Sequence, residues 1–139
     1  LKYSLQALQA PESWVGVNTA LANTLVKEAF EQQRIDHWAH YKNLQAEIKI
    51  SKETRLDFKL SLGPGADLFV EVKNVTWGEH GTAFFPDAVT SRGAKHLEEL
   101  IELKKQGHDA EMVFVVQRTD CKIFRPAQEL DKKYAAGLR

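Results

Sequence analysis

The sequence predicts an α/β fold, a central mixed β-sheet flanked by helices, and three observations predict it. Segments 44–50, 55–62 and 67–73 alternate apolar and polar residues with period two, the mark of half-buried strands. Segments 18–33 and 90–107 repeat their apolar residues at helical spacing. After the second helix comes Met112-Val113-Phe114-Val115-Val116, an uninterrupted apolar run typical of a central buried strand.

Taken in order, residues 1–17 mix short apolar runs with Pro11 and read as a strand plus an irregular connection. Asn18 is a good helix N-cap, and its helix runs to about Gln33 with Leu21, Leu25, Val26, Ala29 and Phe30 on the buried face. Glu28 stands at the margin of that face, either reaching a neighbouring site or forming an ordinary boundary. In the first strand Ala46, Ile48 and Ile50 oppose Gln45, Glu47 and Lys49, and 51–54 is turn-like. The second strand sets Leu56, Phe58, Leu60 and Leu62 against Arg55, Asp57, Lys59 and Ser61. Gly63-Pro64-Gly65-Ala66 is a turn short enough for an antiparallel hairpin. The returning strand places Leu68, Val70 and Val72 on one face and Asp67, Phe69, Glu71 and Lys73 on the other.

Residues 74–86 form a loop holding Trp77, Phe84 and Phe85, either a lid or a long connection anchored by aromatics. Asp87 or Thr90 opens the second helix, which ends near Gly107 with Ala94, Leu97, Leu100 and Ile101 as its core stripe. Segment 121–124 is a shorter strand, stopped by Pro126 and so an edge, and a weak helix over 131–138 follows.

Composition narrows the function classes. At 139 residues, 43% apolar and 27% charged, the chain is one domain's worth of ordinary globular sequence. No apolar run approaches the ~20 residues of a membrane span, and no signal peptide is visible. A single cysteine, Cys121, excludes an internal disulfide framework and fits a reducing cytoplasm. No Cys/His cluster offers a structural zinc site. The formal net charge of zero argues against a strongly basic nucleic-acid binder, yet leaves room for a local basic face or a bridging metal. The first residue is Leu1 and the only methionine is Met112, so the chain reads as a piece of a longer protein.

The two strands of the central hairpin carry the chemistry. Pairing Leu60 with Val70 would set Lys59 opposite Glu71 and Asp57 opposite Lys73, with cross-strand neighbours ~5 Å and diagonals ~7 Å apart. Asp57, Glu71 and Lys73 then converge on one patch. Mg²⁺, or Mn²⁺ in its place, takes oxygen ligands and is typically held by one or two carboxylates plus substrate phosphate. Asp57 and Glu71 are the candidate metal ligands, with the Val72 carbonyl between Glu71 and Lys73. A divalent cation activates water and neutralises charge on phosphate, and Lys73 is placed to orient that water or offset the charge. The bland alternative is a solvated surface salt bridge. On the second helix Arg92, Lys95 and His96 project from adjoining faces of the first turns, where backbone N–H groups also favour anions. They are either phosphate contacts or a solvated face balanced by Glu99 and Glu102.

Helix, three strands, helix and further strands, with acidic residues on strands two and three, match the core of PD-(D/E)XK, restriction-endonuclease-like nucleases. Longer stretches make a sharper match. Val17-Asn18-Thr19, Ala22-Asn23, Arg55-Leu56-Asp57-Phe58, Glu71-Val72-Lys73-Asn74-Val75-Thr76, Phe85-Pro86-Asp87-Ala88-Val89-Thr90 and the Arg92-Gly93…Lys95-His96-Leu97 run resemble the sugar fermentation stimulation protein family, from about Val15 onward. The resemblance implies a DNA-binding protein linked to regulation of sugar metabolism, with an OB-like domain ahead of the nuclease-like one. Residues 1–14 are then the end of the preceding domain or a connector, and 15–139 the nuclease-like domain. It also implies that Asp57, Glu71 and Lys73 occupy the nuclease-type motif and Glu28 the acidic position of the first helix. Arg92, Lys95 and His96 fall on the family's own helix motif. Set against what the resemblance implies, the OB-like domain and a final strand are expected to fall outside this stretch of sequence, and Ser91 stands where an acidic residue is expected.

Three readings follow: a catalytically quiet DNA-binding regulator, an active Mg²⁺-dependent DNA nuclease, or a fold kept for protein–protein contact. DNA is the expected partner and no membrane association is expected.

Overall fold

Alternation of apolar and polar residues sets the pleat of the sheet that carries the candidate site. The computed structural model describes residues 3–139. In chain order its elements are β1 (Ala7–Ala10), β2 (Ser13–Gly16), α1 (Ala20–Glu31), a 3₁₀ turn (Asp36–Trp38), β3 (Asn43–Lys49), β4 (Arg55–Ser61), β5 (Leu68–Val75), β6 (Gly78–Glu79), β7 (Thr82–Phe85), α2 (Ser91–Lys105), β8 (Asp109–Val116), β9 (Ile123–Pro126) and α3 (Lys132–Gly137). The principal sheet has the order β3-β4-β5-β8. Its first three strands are antiparallel and β8 runs parallel to β5, so the sheet is mixed as predicted, with α2 in the crossover between β5 and β8.

Both faces of this sheet are covered. On one side Ala22 and Val26 of α1 pack with Trp38, Phe58, Leu60, Val70 and Val72. On the other, Leu100 and Leu103 of α2 pack with Leu56 and Phe69. Burying a Leu or Val side chain contributes roughly 1.5–3 kcal/mol, so these two layers hold the sheet between the helices. Two small sheets flank it: the β1-β2 hairpin, and β6-β7-β9. The hairpin is tied to the main body by Gly16 N–H donating to the Gln117 carbonyl at 2.8 Å. Among the described residues no helix is long and apolar enough to cross a membrane.

Several expectations shift. The Met112–Val116 run is not central: β8 is an end strand of its sheet, and its residues there are only partly buried. It is uninterruptedly apolar because Met112 packs on the α2 layer while Val113 and Val115 pack on the α1 layer. The stretch 74–86 is an anchored connection holding β6 and β7, with Trp77 against Phe84 and Phe85 against Phe114 and Tyr134. In α1 the N-cap is Thr19, and Leu25 is 40% exposed, so the buried stripe is narrower than its apolar content suggested.

The hairpin register also differs. Phe58 pairs with Val70, Lys59 with Phe69 and Leu60 with Leu68, two residues from the predicted pairing of Leu60 with Val70. Extending the observed register would bring Asp57, not Lys59, opposite Glu71.

Candidate metal centre

The β4–β5 ladder stops at Phe58, and the site is built where it stops. Past that point β4 pairs only with β3, down to Lys49 opposite Arg55. On β3, Glu47 takes the left-handed conformation (φ 58°) between the pairs Ala46–Phe58 and Ile48–Leu56. The β3–β4 ribbon turns there: Phe58 packs on the α1 side, whereas Leu56, of the same parity, packs with the α2 side. The strands therefore part at Asp57. Its carboxylate fills the gap, one oxygen accepting the Val72 backbone N–H and the other the Asn23 side-chain amide, each at 2.7 Å. Val72 N–H, left without a β4 carbonyl by the split, finds its acceptor in this side chain, as a buried backbone donor must.

Glu71, on β5, is nearly sealed, its side chain 3% exposed. One oxygen, Oε1, accepts both Lys73 Nζ at 2.5 Å and His96 Nδ1. A carboxylate can only accept, so Nδ1 carries the proton, and the 3.4 Å approach of Lys73 Nζ to it is a contact between two donors. The other oxygen, Oε2, is buried without a hydrogen-bond partner among the described residues. A buried carboxylate oxygen left unpartnered is costly.

The electrostatics separate the two carboxylates. Burial, and next the charge on Glu71, push the Asp57 carboxyl above the usual range, against the opposing pull of Val72 N–H, Asn23 and Lys73. Burial acts on Glu71 in the same sense, but the His96 hydrogen bond and the nearby Lys73 ammonium together hold it below the usual carboxylate range. Two neighbouring carboxylates, one disfavoured as an anion by the other, are a setting that a divalent cation relieves.

The start of α2 is fixed before it reaches the site. Thr90 caps the helix by accepting Gly93 N–H at 2.9 Å, and its own N–H donates to Asp131 at 3.2 Å. The second Asp131 oxygen caps α3 by accepting Tyr134 N–H at 2.9 Å. One carboxylate thus joins the starts of two helices and sets where Arg92, Lys95 and His96 lie.

A cleft of about 730 Å³ gathers Asp57, Glu71, Lys73, Arg92, Lys95 and His96. Sequence reasoning placed His96 with the phosphate contacts; the structure buries it, 5% exposed, on Glu71. Arg92 is exposed, and Lys95 donates to Glu53 of the β3–β4 turn at 2.5 Å. Glu28 is exposed on α1 and is not among the cleft's lining residues. The residue that α1 brings to the centre is Asn23, about 140° away around the helix at 100° per residue. Asn23 lay within the motif that carried the family resemblance, which was its one signal in the sequence. Lys49, Lys52 and Arg55 line the cleft as well; the sequence marked Lys49 and Lys52 only as strand and turn, whereas Arg55 opens a motif of the family resemblance. A slightly larger groove of about 810 Å³ between α2, β8 and β9 is mainly apolar and holds no pair of carboxylates.

A cation fits these residues on one observation: among the described residues Glu71 Oε2 has no other partner. Among the described residues no three His, Cys, Asp or Glu side chains form a ready ligand set. The chain would offer Asp57 and Glu71 and leave the remaining positions to water and phosphate, the way Mg²⁺ is ordinarily bound.

Comparison with known proteins agrees with this architecture. Residues 20–139 match the family model of the sugar fermentation stimulation protein RE domain. The chain is 49% identical to a sugar fermentation stimulation protein homolog of Bdellovibrio bacteriovorus, over all of this chain and 62% of that protein. It is 46% identical to the homolog of Rhodospirillum centenum, over all of this chain and 60% of the relative. The solved structure of Pyrococcus furiosus SfsA in complex with Ca²⁺ superposes with a TM-score of 0.86 at 26% identity, covering 96% of this chain and 57% of that one. The chain thus spans about three fifths of the length of the relatives it matches.

Proposed function

This chain belongs to the sugar fermentation stimulation protein family, with the restriction-endonuclease-like fold of its RE domain, and from that premise we propose that it binds DNA at a divalent cation held by Asp57 and Glu71. The observation that carries the reading is the buried, unpartnered Glu71 Oε2 beside an Asp57 that burial and the Glu71 charge disfavour as an anion. Mg²⁺ is the expected ion and Mn²⁺ the alternative; the Ca²⁺ bound by the Pyrococcus relative supports a divalent, oxygen-ligated ion. A role in regulating sugar metabolism would then run through DNA binding.

The chain's own residues divide the work. Asn23 and Val72 N–H fix the Asp57 carboxylate in one orientation. His96 and Lys73 hold Glu71 Oε1 and thereby leave Oε2 for the cation. Arg92 lines the same cleft with no ion-pair partner among the described residues, and it would meet phosphate there.

The position of Lys73 favours a second reading, hydrolysis of the phosphodiester. When bound, the cation would activate water and neutralise charge on the phosphate. Lys73, on the edge of the centre with its side chain 14% exposed, would orient the attacking water or offset charge in the transition state. The test incubates the full-length protein with single- and double-stranded DNA in Mg²⁺, Mn²⁺ or chelator, beside Asp57→Ala. Metal-dependent binding lost in the variant supports the cation site, and cleavage lost with it establishes an enzyme. Metal-independent binding that Asp57→Ala leaves intact would overturn the cation reading.

A further inference from the structure

The β3–β4 ribbon places cations on the cleft that the centre itself does not use. Lys49 and Arg55 are directly paired across the two strands, and both line the cleft. Like charges directly opposite one another destabilise a sheet. Arg55 is neutralised by Glu47 at 3.1 Å, whereas Lys49 has no ion-pair or hydrogen-bond partner among the described residues. Lys52, in the turn that follows, also lines the cleft and is likewise unpartnered. Arg92 faces the same space from α2. In a chain of zero formal net charge, the cleft carries six Lys or Arg side chains and four carboxylates. Two of those carboxylates are the candidate cation ligands, and the other two, Glu47 and Glu53, are each paired with a single cation, Arg55 of the ribbon and Lys95 of α2.

Resting on the DNA reading above, we propose that the β3–β4 ribbon is a second phosphate-binding wall. Lys49 and Lys52 receive backbone phosphates flanking the one at Asp57 and Glu71, and Arg92 receives them from the α2 side. The occupant is a polynucleotide backbone with several consecutive phosphates; a mononucleotide, with phosphate at one end only, would engage the centre alone. A phosphate beside Lys49 supplies the counter-charge that Lys49, unlike the Glu47-paired Arg55, lacks. Lys95 joins the same wall from α2 through Glu53, an exposed ion pair at the mouth of the cleft that incoming phosphate can exchange with.

The test uses full-length protein with Ca²⁺, short fluorescein-labelled DNA duplexes and fluorescence anisotropy across a salt series. The variants are Lys49→Ala/Lys52→Ala and, separately, Arg92→Ala. Each lost phosphate contact lowers the log–log salt slope by about 0.9, so the double variant should lose close to 2 and Arg92→Ala close to 1. Inorganic phosphate and a mononucleotide should bind the double variant as they bind the wild type. A wild-type slope in the double variant overturns the second wall while leaving the cation reading intact. An equal loss of mononucleotide binding overturns the assignment to flanking phosphates. If the wild type binds no DNA under any metal condition, both readings fail together. Unfolding temperatures of the variants, whose substituted side chains are exposed, separate lost contacts from lost fold.

Discussion

Replacing Glu71 by Gln removes one charge from a nearly sealed site and leaves its shape intact. The Gln carbonyl can still accept from His96 and Lys73, but the ammonium of Lys73, 14% exposed, then faces no anion at 2.5 Å. Breaking a buried ion pair from one side typically costs about 3–5 kcal/mol. Here Asp57 also senses Lys73 and is relieved of the Glu71 charge, and Lys73 keeps some solvent contact, which places the loss at or below the lower bound of that range, about 2–3 kcal/mol. Unfolding entropy of ~2.1 cal/mol/K per residue gives ~0.3 kcal/mol/K for this length, so Tm should fall by about 7–10 °C. The assay is thermal unfolding by circular dichroism in chelator near neutral pH. Removing both members, Glu71→Gln with Lys73→Met, should restore at least half of the loss, because no uncompensated charge stays behind. A single variant within ~2 °C of wild type, or a double variant as unstable as the sum of the single ones, would refute the account of Glu71 as the anchor of a desolvated charge pair.

The remaining predictions concern pH and the helix starts. The Asp57 carboxyl is raised in the folded state, so its contribution to stability is present below its ordinary value and is lost as pH rises through the raised one. Glu71 is lowered, so its contribution is present above its ordinary value and is lost as pH falls through the lowered one. Cation affinity, which needs ionised Asp57, should therefore strengthen as pH rises above the ordinary aspartate value, and titration calorimetry of Asp57→Asn should show that dependence gone. Gly93→Ala would put a Cβ 2.7 Å from Thr90 Cγ2 and 3.2 Å from Tyr134 Cε2. Crowding of this kind costs about 1–3 kcal/mol, and a melting curve of the variant should show it as a clear drop in Tm. Tyr134→Phe deletes a buried hydroxyl with no hydrogen-bond partner among the described residues, so its Tm should hold or rise by a few degrees, about 1 kcal/mol. A fall in that Tm would mean that the hydroxyl is satisfied in solution.

Much of the centre was legible in the sequence because strand alternation fixes which side chains share a face. Asp57, Glu71 and Lys73 meet as expected, but not through the expected register. A shift of two residues returns every side chain to its own face, so the apolar pattern of Leu56, Phe58 and Leu60 cannot distinguish Leu60 opposite Val70 from Leu60 opposite Leu68. Only the turn decides, and its connection runs from Leu62 to Asp67, longer than the Gly-Pro-Gly-Ala core suggested. The kink at Glu47 was equally hidden, since a left-handed glutamate leaves no mark on composition. His96 stands beside Leu97 at the edge of the α2 stripe and is drawn inside by a carboxylate twenty-five positions away, a partner that local periodicity does not reveal. Glu28 shows the converse: the family pattern marked a helix position, while helical geometry sends Asn23 to the centre instead.

The double duty of Asp131 governs how this protein can be dissected. Because one side chain holds the Thr90 N–H and the first turn of α3, the short C-terminal helix is part of the apparatus that aims His96 at Glu71. A trimmed fragment ending before residue 131 would keep every residue of the centre yet lose the strut behind it. Proteolysis within 127–131 should accordingly silence the centre from a distance, and any minimal fragment has to retain α3 through Gly137.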